Sequence, residues 1–352
     1  MATPNIVPRA DSEGGLGTSS KYWASAYIDA ITTTGNVTIG GVVTATSFNG
    51  IPFFSDATNN SMYTHDVSGT DDTAQYNTAY GFAAMDAITT GDHNTAVGYG
   101  AGGNLTNGVN NVLIGKDAGD SLTSGTSNVA VGADALQNED TGDKNIAIGR
   151  QALFTQNYNG DAYNIAIGHQ AGFAMTSGIL NTLVGGSAGD ALTTGNSNVA
   201  IGYLALSGEI QGDRNVAVGN NALESQANSS DTDVYNTAVG YNAGQSVTTG
   251  VRNTIIGGLA GDALTTGNYN IAIGYTALGA EDAHGRNVAI GYAALAAQNA
   301  GADAYNVAIG FEAGNDITTG LYNTVLGGEA LLTNVDGDKN TAIGFRALKS
   351  FE

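Results

Sequence analysis

This sequence predicts an all-β fold: a parallel β-roll or β-solenoid of sixteen coils of about 17 residues, assembled as an elongated homotrimer. Three observations carry the expectation. An Asn-x-x-x-Gly unit recurs at a nearly fixed interval. Between its Asn and Gly, large and small apolar residues alternate. The chain is also poor in charge, at 12%, and rich in glycine, with 52 Gly against 3 Pro and no Cys in 352 residues.

The recurring unit opens at Asn77, Asn94, Asn111, Asn128, Asn145, Asn164, Asn181, Asn198, Asn215, Asn236, Asn253, Asn270, Asn287, Asn306, Asn323 and Asn340. Successive asparagines are 17 residues apart, except for 19 between 145 and 164 and between 287 and 306, and 21 between 215 and 236. Every Asn is followed by Gly four residues on and by Ala seven on: Gly81 and Ala84 after Asn77, Gly274 and Ala277 after Asn270, Gly344 and Ala347 after Asn340. Self-similarity this strict marks stacked repeats. A period of four coils overlies it, with one additional coil in the first group, because Tyr-Asn opens the coils that follow the long turns, at Asn77, Asn164, Asn236 and Asn306. Within a group, the Ala at the seventh place is followed mostly by Gly or Leu.

One coil explains the pattern. In Asn270-Ile-Ala-Ile-Gly274 the period-2 geometry of a strand places Ile271 and Ile273 on one face and Asn, Ala and Gly on the other. The small face permits close approach of a second backbone across a flat interior. The aliphatic face needs another partner, and the same face of a neighbouring chain supplies it most economically. The expected interface residues are Ile146, Ile148, Ile165, Ile167, Val199, Ile201, Val216, Val218, Ile271, Ile273, Val288 and Ile290. The opening Asn suits the corner entering the strand, where it tolerates a left-handed conformation, and stacked asparagines also suit an amide ladder. At ~4.8 Å per strand, sixteen coils span about 75–80 Å.

The ends differ. Residues 1–50 break the repeat and read as a β-rich attachment module, with Tyr22, Trp23 and Tyr27 as candidates for docking on another protein and a strand pair about Gly40-Gly41. Residues 51–76 read as a polar connector, and 77–352 as the β-roll shaft.

Charge excludes one class of partner. The net charge of −21 leaves no basic stripe for nucleic acid, and a trimer carries three times that, −63. The N-terminus shows no secretory leader, and no run reaches membrane-spanning length, so membrane insertion is not expected.

Two resemblances follow from these residues. The N-x-A-I-G-x-x-A coil, from Asn77 to about Leu348, is similar to the head repeats of YadA-like trimeric autotransporter adhesins, whose coils are usually shorter. That resemblance implies a left-handed parallel β-roll joined as a trimer. The segments LGTSSKYWASAY and GVVTATSFNG look like modules near the bases of bacteriophage tail fibres, particularly those of marine and cyanobacterial phages. That resemblance implies a virion protein assembled in the host cytoplasm, attached to a tail or baseplate protein through its N-terminal module, and acting at the host surface.

Motifs for chemistry are weak. Gly98-Tyr-Gly-Ala-Gly-Gly103 fits a dinucleotide fingerprint but lacks a βαβ context, and Gly185-Gly-Ser187-Ala-Gly189 fits a nucleophile elbow while Leu259 and Glu329 stand at the Ser position in sister coils. His65, His93, His169 and His284 show no ligand spacing, and the acidic turns at 138–143 and Asp336–Asp338 read as solvated carboxylates, with a bound Ca²⁺ as the alternative. No catalytic, cofactor or metal residue is therefore assigned. The expected function is that of a structural tail fibre, a stiff trimeric rod that holds or presents a receptor-recognition surface. A bacterial surface adhesin is the alternative, and a glycan-cleaving tailspike a more distant one. A host glycan or protein is the expected external partner, and Tyr158, Tyr163, Tyr235 and Tyr305, in or after the long turns, are the candidate contacts.

Overall fold

The computed structural model describes residues 73–350 continuously, with short stretches at 47–48, 51–52, 54–56 and 61–64. The chain divides into two units, Met1–Ala45 and Thr46–Glu352. The first lies outside the described residues, and so do Tyr22, Trp23, Tyr27 and the strand pair expected about Gly40-Gly41. The second is a parallel β-solenoid, with no helix among the described residues.

Sixteen three-residue strands, from Thr78–Tyr80 to Thr341–Ile343, stack in one parallel ladder, one strand per coil. Each pairs in register with the next coil, as Ile146 does with Ile165 and Val216 with Thr237. Those two pairs span the 19- and 21-residue coils, so the added residues bulge outward and leave the register unchanged. The bulges are themselves stitched to the coil before: Gly212–Asp213 pairs with Thr232–Asp233, and Asp143 bridges Asp161.

The turns stack as well as the strands. Met85 N donates to Ala101 O (3.0 Å), and Thr106 N to Thr123 O (2.9 Å). A coil is thus hydrogen-bonded to its successor along most of its length, which satisfies backbone groups that a narrow interior could not hydrate.

With the opening Asn as position 0, the interior is built from positions 0, 2, 7, 8 and 11. Ala at positions 2 and 7 is buried throughout the middle of the array, as Ala147 and Ala152 are. The Gly at position 4 ends each strand for two reasons. At Gly98 φ is +135°, and a Cβ there would lie 2.5 Å from the carbonyl oxygen of Gly115 in the next coil. Position 8 is set by volume. Every fourth coil carries a large residue at position 2 (Leu113, Leu183, Ile255 and Val325). Beside Leu113, position 8 is glycine in that coil and in the one before, and a Cβ on Gly102 would lie 2.6 Å from Leu113 Cδ1. The smaller Val325 admits Leu331 at position 8 of its own coil, and both are buried. Interiors packed to crystal-like density demand such exchanges.

The asparagines form a ladder. Asn181 Nδ2 donates to Gly195 O (2.9 Å), and Asn181 Oδ1 accepts from Asn198 N (2.9 Å), so each amide joins its own coil to the next. The corner role expected for Asn falls one residue earlier: Tyr269, Arg252 and Ser197, each preceding an Asn, hold φ near +60°. The reason is burial. A corner residue faces solvent, whereas Asn198 is 0% exposed and must place its amide against backbone groups.

The region read as a connector also contains structure. Phe54–Asp56 pairs antiparallel with Ser61–Tyr63, and Met62 pairs with Thr78 of the first coil. Tyr63 is buried, and Thr64 Oγ1 accepts from Gly81 N (2.9 Å) and donates to Gly81 O (3.3 Å). These residues cover an edge that would otherwise present unpaired backbone groups.

Candidate functional site

Two surfaces of the solenoid carry unlike chemistry. The first is the outward face of the strand ladder. Because the small residues point inward, positions 1 and 3 point out, and Ile148, Ile167, Ile201 and Ile309 are exposed. The other expected interface residues share these positions, with Ile146, Ile165, Val199, Val216, Val218, Ile271, Ile273, Val288 and Ile290 half-buried.

Aromatic residues flank this strip on both sides. At position −1 stand Tyr76, Tyr163, Tyr235, Tyr269, Tyr305 and Tyr322, and at position 5 stand Phe82, Tyr99, Tyr203, Tyr241, Tyr275, Tyr292, Phe311 and Phe345. Among the described residues, all exposed large hydrophobics except Val335 and Leu348 lie on this one face. Concentration on a single strip is what marks an apolar surface as an interaction site.

The aromatic rows are internally ordered. Tyr275, Tyr292 and Phe311 stack with ring centroids 5.8 and 5.1 Å apart. On the opposite flank the guanidinium of Arg286 lies between the rings of Tyr269 and Tyr305, at 5.6 and 5.4 Å. Lys144 and Arg214 cover Tyr163 and Tyr235 in the same manner. Three of the tyrosines expected as turn contacts, Tyr163, Tyr235 and Tyr305, therefore edge the apolar face instead. Tyr158 alone stays in a long turn, half-buried, with its backbone N donating to Glu139 Oε2 (3.3 Å).

The second surface lies on the turn side and is polar. An open groove of about 550 Å³ runs over coils 1–5, lined by Asn104, Thr106, Ser121, Thr123, Asn138 and Asp140 among others. The threonines are partly committed, since Thr106 Oγ1 donates to Thr123 O (3.1 Å).

The acidic turns are not plain solvated carboxylates. At position 11 most coils bury an aliphatic residue or Met175, but three in turn bury a glutamate: Glu139, Glu209 and Glu281, each 0% exposed. Glu209 Oε1 accepts from the backbone N of Ile210, Gln211, Gly212 and Asn228, and its Oε2 accepts from Asn228 Nδ2 (3.0 Å). Glu139 accepts from Asp140 N, Gly142 N and Tyr158 N. Burial pushes the Glu139 carboxyl above the usual carboxylate range, against the opposing effect of those amides. Among the outer acids, Asp143 Oδ1 accepts from Thr126 N (2.6 Å) and Asp338 Oδ1 from Leu321 N (2.7 Å). These carboxylates organise turns.

The coil after each buried glutamate buries a glutamine: Gln156, Gln226 and Gln298. There the long turn removes the glycine carbonyl that the Asn ladder normally uses, and Gln226 joins the ladder. Its Nε2 donates to Asn215 Oδ1 (3.1 Å) and its Oε1 accepts from Asn236 Nδ2 (3.0 Å), which also donates to Gly250 O (2.7 Å).

The third glutamate is unlike its sisters. Glu281 Oε1 accepts from His284 N (3.1 Å), while Oε2 is buried with no hydrogen-bond partner. Glu281, Asp282 and His284 each bring a ligand-type atom within 4.8 Å of the others. Burial again raises the Glu281 pKa, opposed by the His284 amide. Sequence reading passed over this cluster because the four histidines are far apart along the chain. The signal was present in the repeat frame: His284 stands at position 14, where Gly142 and Gly212 stand in the other two glutamate coils.

The remaining motifs resolve into repeat geometry. Ser187 holds a left-handed corner (φ 52°) that Leu259 and Glu329 hold in sister coils. Gly98–Gly103 forms a strand end and tight turn, with no helix following. His93 stacks on Tyr76 (4.8 Å), His169 lies beside Arg150, and His65 is outside the described residues. No helix among the described residues is long and apolar enough to cross a membrane. Compared with known proteins, the chain matches no family model and no curated protein.

Proposed function

We propose that this chain is a structural fibre protein of a phage virion, a tail fibre in which three copies associate through their strand faces into a stiff rod. The observation that carries the reading is the outward strip of aliphatic and aromatic residues along all sixteen coils, which a single chain leaves on its surface. A second copy with the same repeat pitch meets that strip in register along its whole length, and burying it removes apolar area from water at about 25 cal/mol per Å². A narrow coil with few interior side chains gains proportionately more from such cover. The virion assignment rests on the resemblance of residues 16–50 to fibre base modules. Three parallel copies of each turn convert weak receptor contacts into avidity.

The test is mass in solution, by light scattering, for the wild type and for Ile271→Asp with Ile273→Asp. The wild type is expected at three chain masses. The double variant is expected to be smaller yet to keep its β-signature, because positions 1 and 3 lie outside the interior. A folded wild-type monomer, or normal trimers of the variant, overturns the proposal. Incubation with host polysaccharide separates the fibre from a tailspike, since released oligosaccharide would favour the enzyme.

A further inference from the structure

We propose that Glu281, Asp282 and His284 form a divalent-cation site of the Zn²⁺ class, one per chain. The first argument is the break in the repeat. In the other two glutamate coils the position-11 carboxylate is saturated by amides, including one from the following long turn: Tyr158 N for Glu139, Asn228 N and Nδ2 for Glu209. In the coil of Glu281 the following long turn supplies no donor, and Oε2 of a fully buried carboxylate is left without a partner. An uncompensated buried carboxylate is costly, and a cation is one of the few groups that removes the cost.

The second argument is the replacement itself. The three-residue spacing between glutamate and position 14 is kept, but Gly142 and Gly212 give way to an imidazole. His284 Nδ1 is also buried without a hydrogen-bond partner, 3.7 Å from Glu281 Oε1. Asp282, exposed beside them, completes three ligands without disturbing the ladder, since only its backbone carbonyl serves the coil before (Thr265 N, 2.5 Å).

The donor set fixes the class of ion. One imidazole and two carboxylates suit Zn²⁺ or Co²⁺ better than Ca²⁺, which takes six to eight oxygens. Ligand atoms around tetrahedral Zn²⁺ lie about 3.3 Å apart, so the present 4.8 Å limit closes by rotation of the exposed Asp282 and a small shift of the others. Water completes the shell on the solvent side. Such an ion would clamp the turn of this coil where the next coil begins its long turn.

The experiment uses the full chain, treated with chelator and titrated with Co²⁺ and then Zn²⁺. Wild type is expected to bind one Co²⁺ per chain, to show the intense visible absorption of a four-coordinate site, and to lose it to Zn²⁺. Zn²⁺ should also raise its unfolding temperature. His284→Gly restores the residue the frame places there, so it should fold, and it should weaken binding at least ~10-fold. Asp282→Asn, at an exposed position, is the second variant and should weaken binding similarly. Equal affinity of wild type and both variants would mean the ion binds scattered acidic turns, and would overturn the proposal. So would the absence of saturable one-to-one binding to wild type.

Discussion

Asparagine at position 0 shows how one side chain can set a period. Its amide accepts from the next coil's Asn N and donates to a glycine carbonyl near the end of its own coil, as Asn181 does with Asn198 and Gly195. Removing a buried amide of this kind orphans two backbone groups, each worth about 1–3 kcal/mol. The sharpest test at this scale concerns volume. Gly102→Ala places a Cβ against Leu113 and in a left-handed backbone (φ 57°), and should destabilise the protein by about 1–3 kcal/mol. Combining it with Leu113→Ala should cost less than the two single changes together, because the clash disappears. Additive losses in a denaturation cycle would show that the two positions do not share space. The repeat spacing, the inward small residues and the outward aliphatic ones were legible in the sequence because each recurs in most coils. The exchange between positions 2 and 8 was half legible: the alternation of Gly with Leu could be seen, but its cause lies in a contact between coils that spacing does not express.

Among the elements, the strand Thr341–Ile343 pairs on one side only among the described residues, whereas the first coil is covered by Ser61–Tyr63. At the far end Glu329 binds Arg346 through two nearly parallel hydrogen bonds (3.0 and 3.1 Å) and also Lys349, which ties the last coil to the one before. Arg346 and then Lys349 lower the Glu329 pKa to about 2. A depressed folded-state pKa means that this contribution is complete above about 4.5, the value in the unfolded chain, and is lost as pH falls toward 2. Hydrogen-exchange protection of the last coil, relative to the intrinsic rate at each pH, should therefore fall across that window in wild type and change less in Glu329→Gln. The effect should shrink in high salt, as exposed pairs do. Identical pH profiles would remove the pair from the account. The turn elements were the least legible part of the sequence. Glu139 read as a solvated acid because a local stretch such as Asn138-Glu-Asp140 does not say which carboxylate points inward. The corner residue was misplaced by one position for a similar reason, since both Asn and its neighbour favour turns.

For the whole molecule, the array is a one-dimensional stack whose parts contact only adjacent coils. Its natural unit is four coils, because the large residue at position 2, the buried Glu and the buried Gln each return with that interval. Deleting residues 164–235 joins Tyr163 to Asn236 and keeps every interior contact of the right kind, so the shortened chain should fold, with a ladder shorter by about 19 Å. Deleting only 164–180 sets Leu153 where Gly172 now spaces it from Leu183, and should destabilise far more. Equal unfolding temperatures for the two deletions would refute the four-coil unit. The same exchange of volumes bears on how such a gene can change length. Recombination between copies that are four coils apart yields a longer or shorter protein that still packs, whereas a crossover out of phase places leucine against leucine and yields one that does not. Packing inside the coil thus acts as a proofreader of duplication, admitting new lengths only in steps of one whole unit.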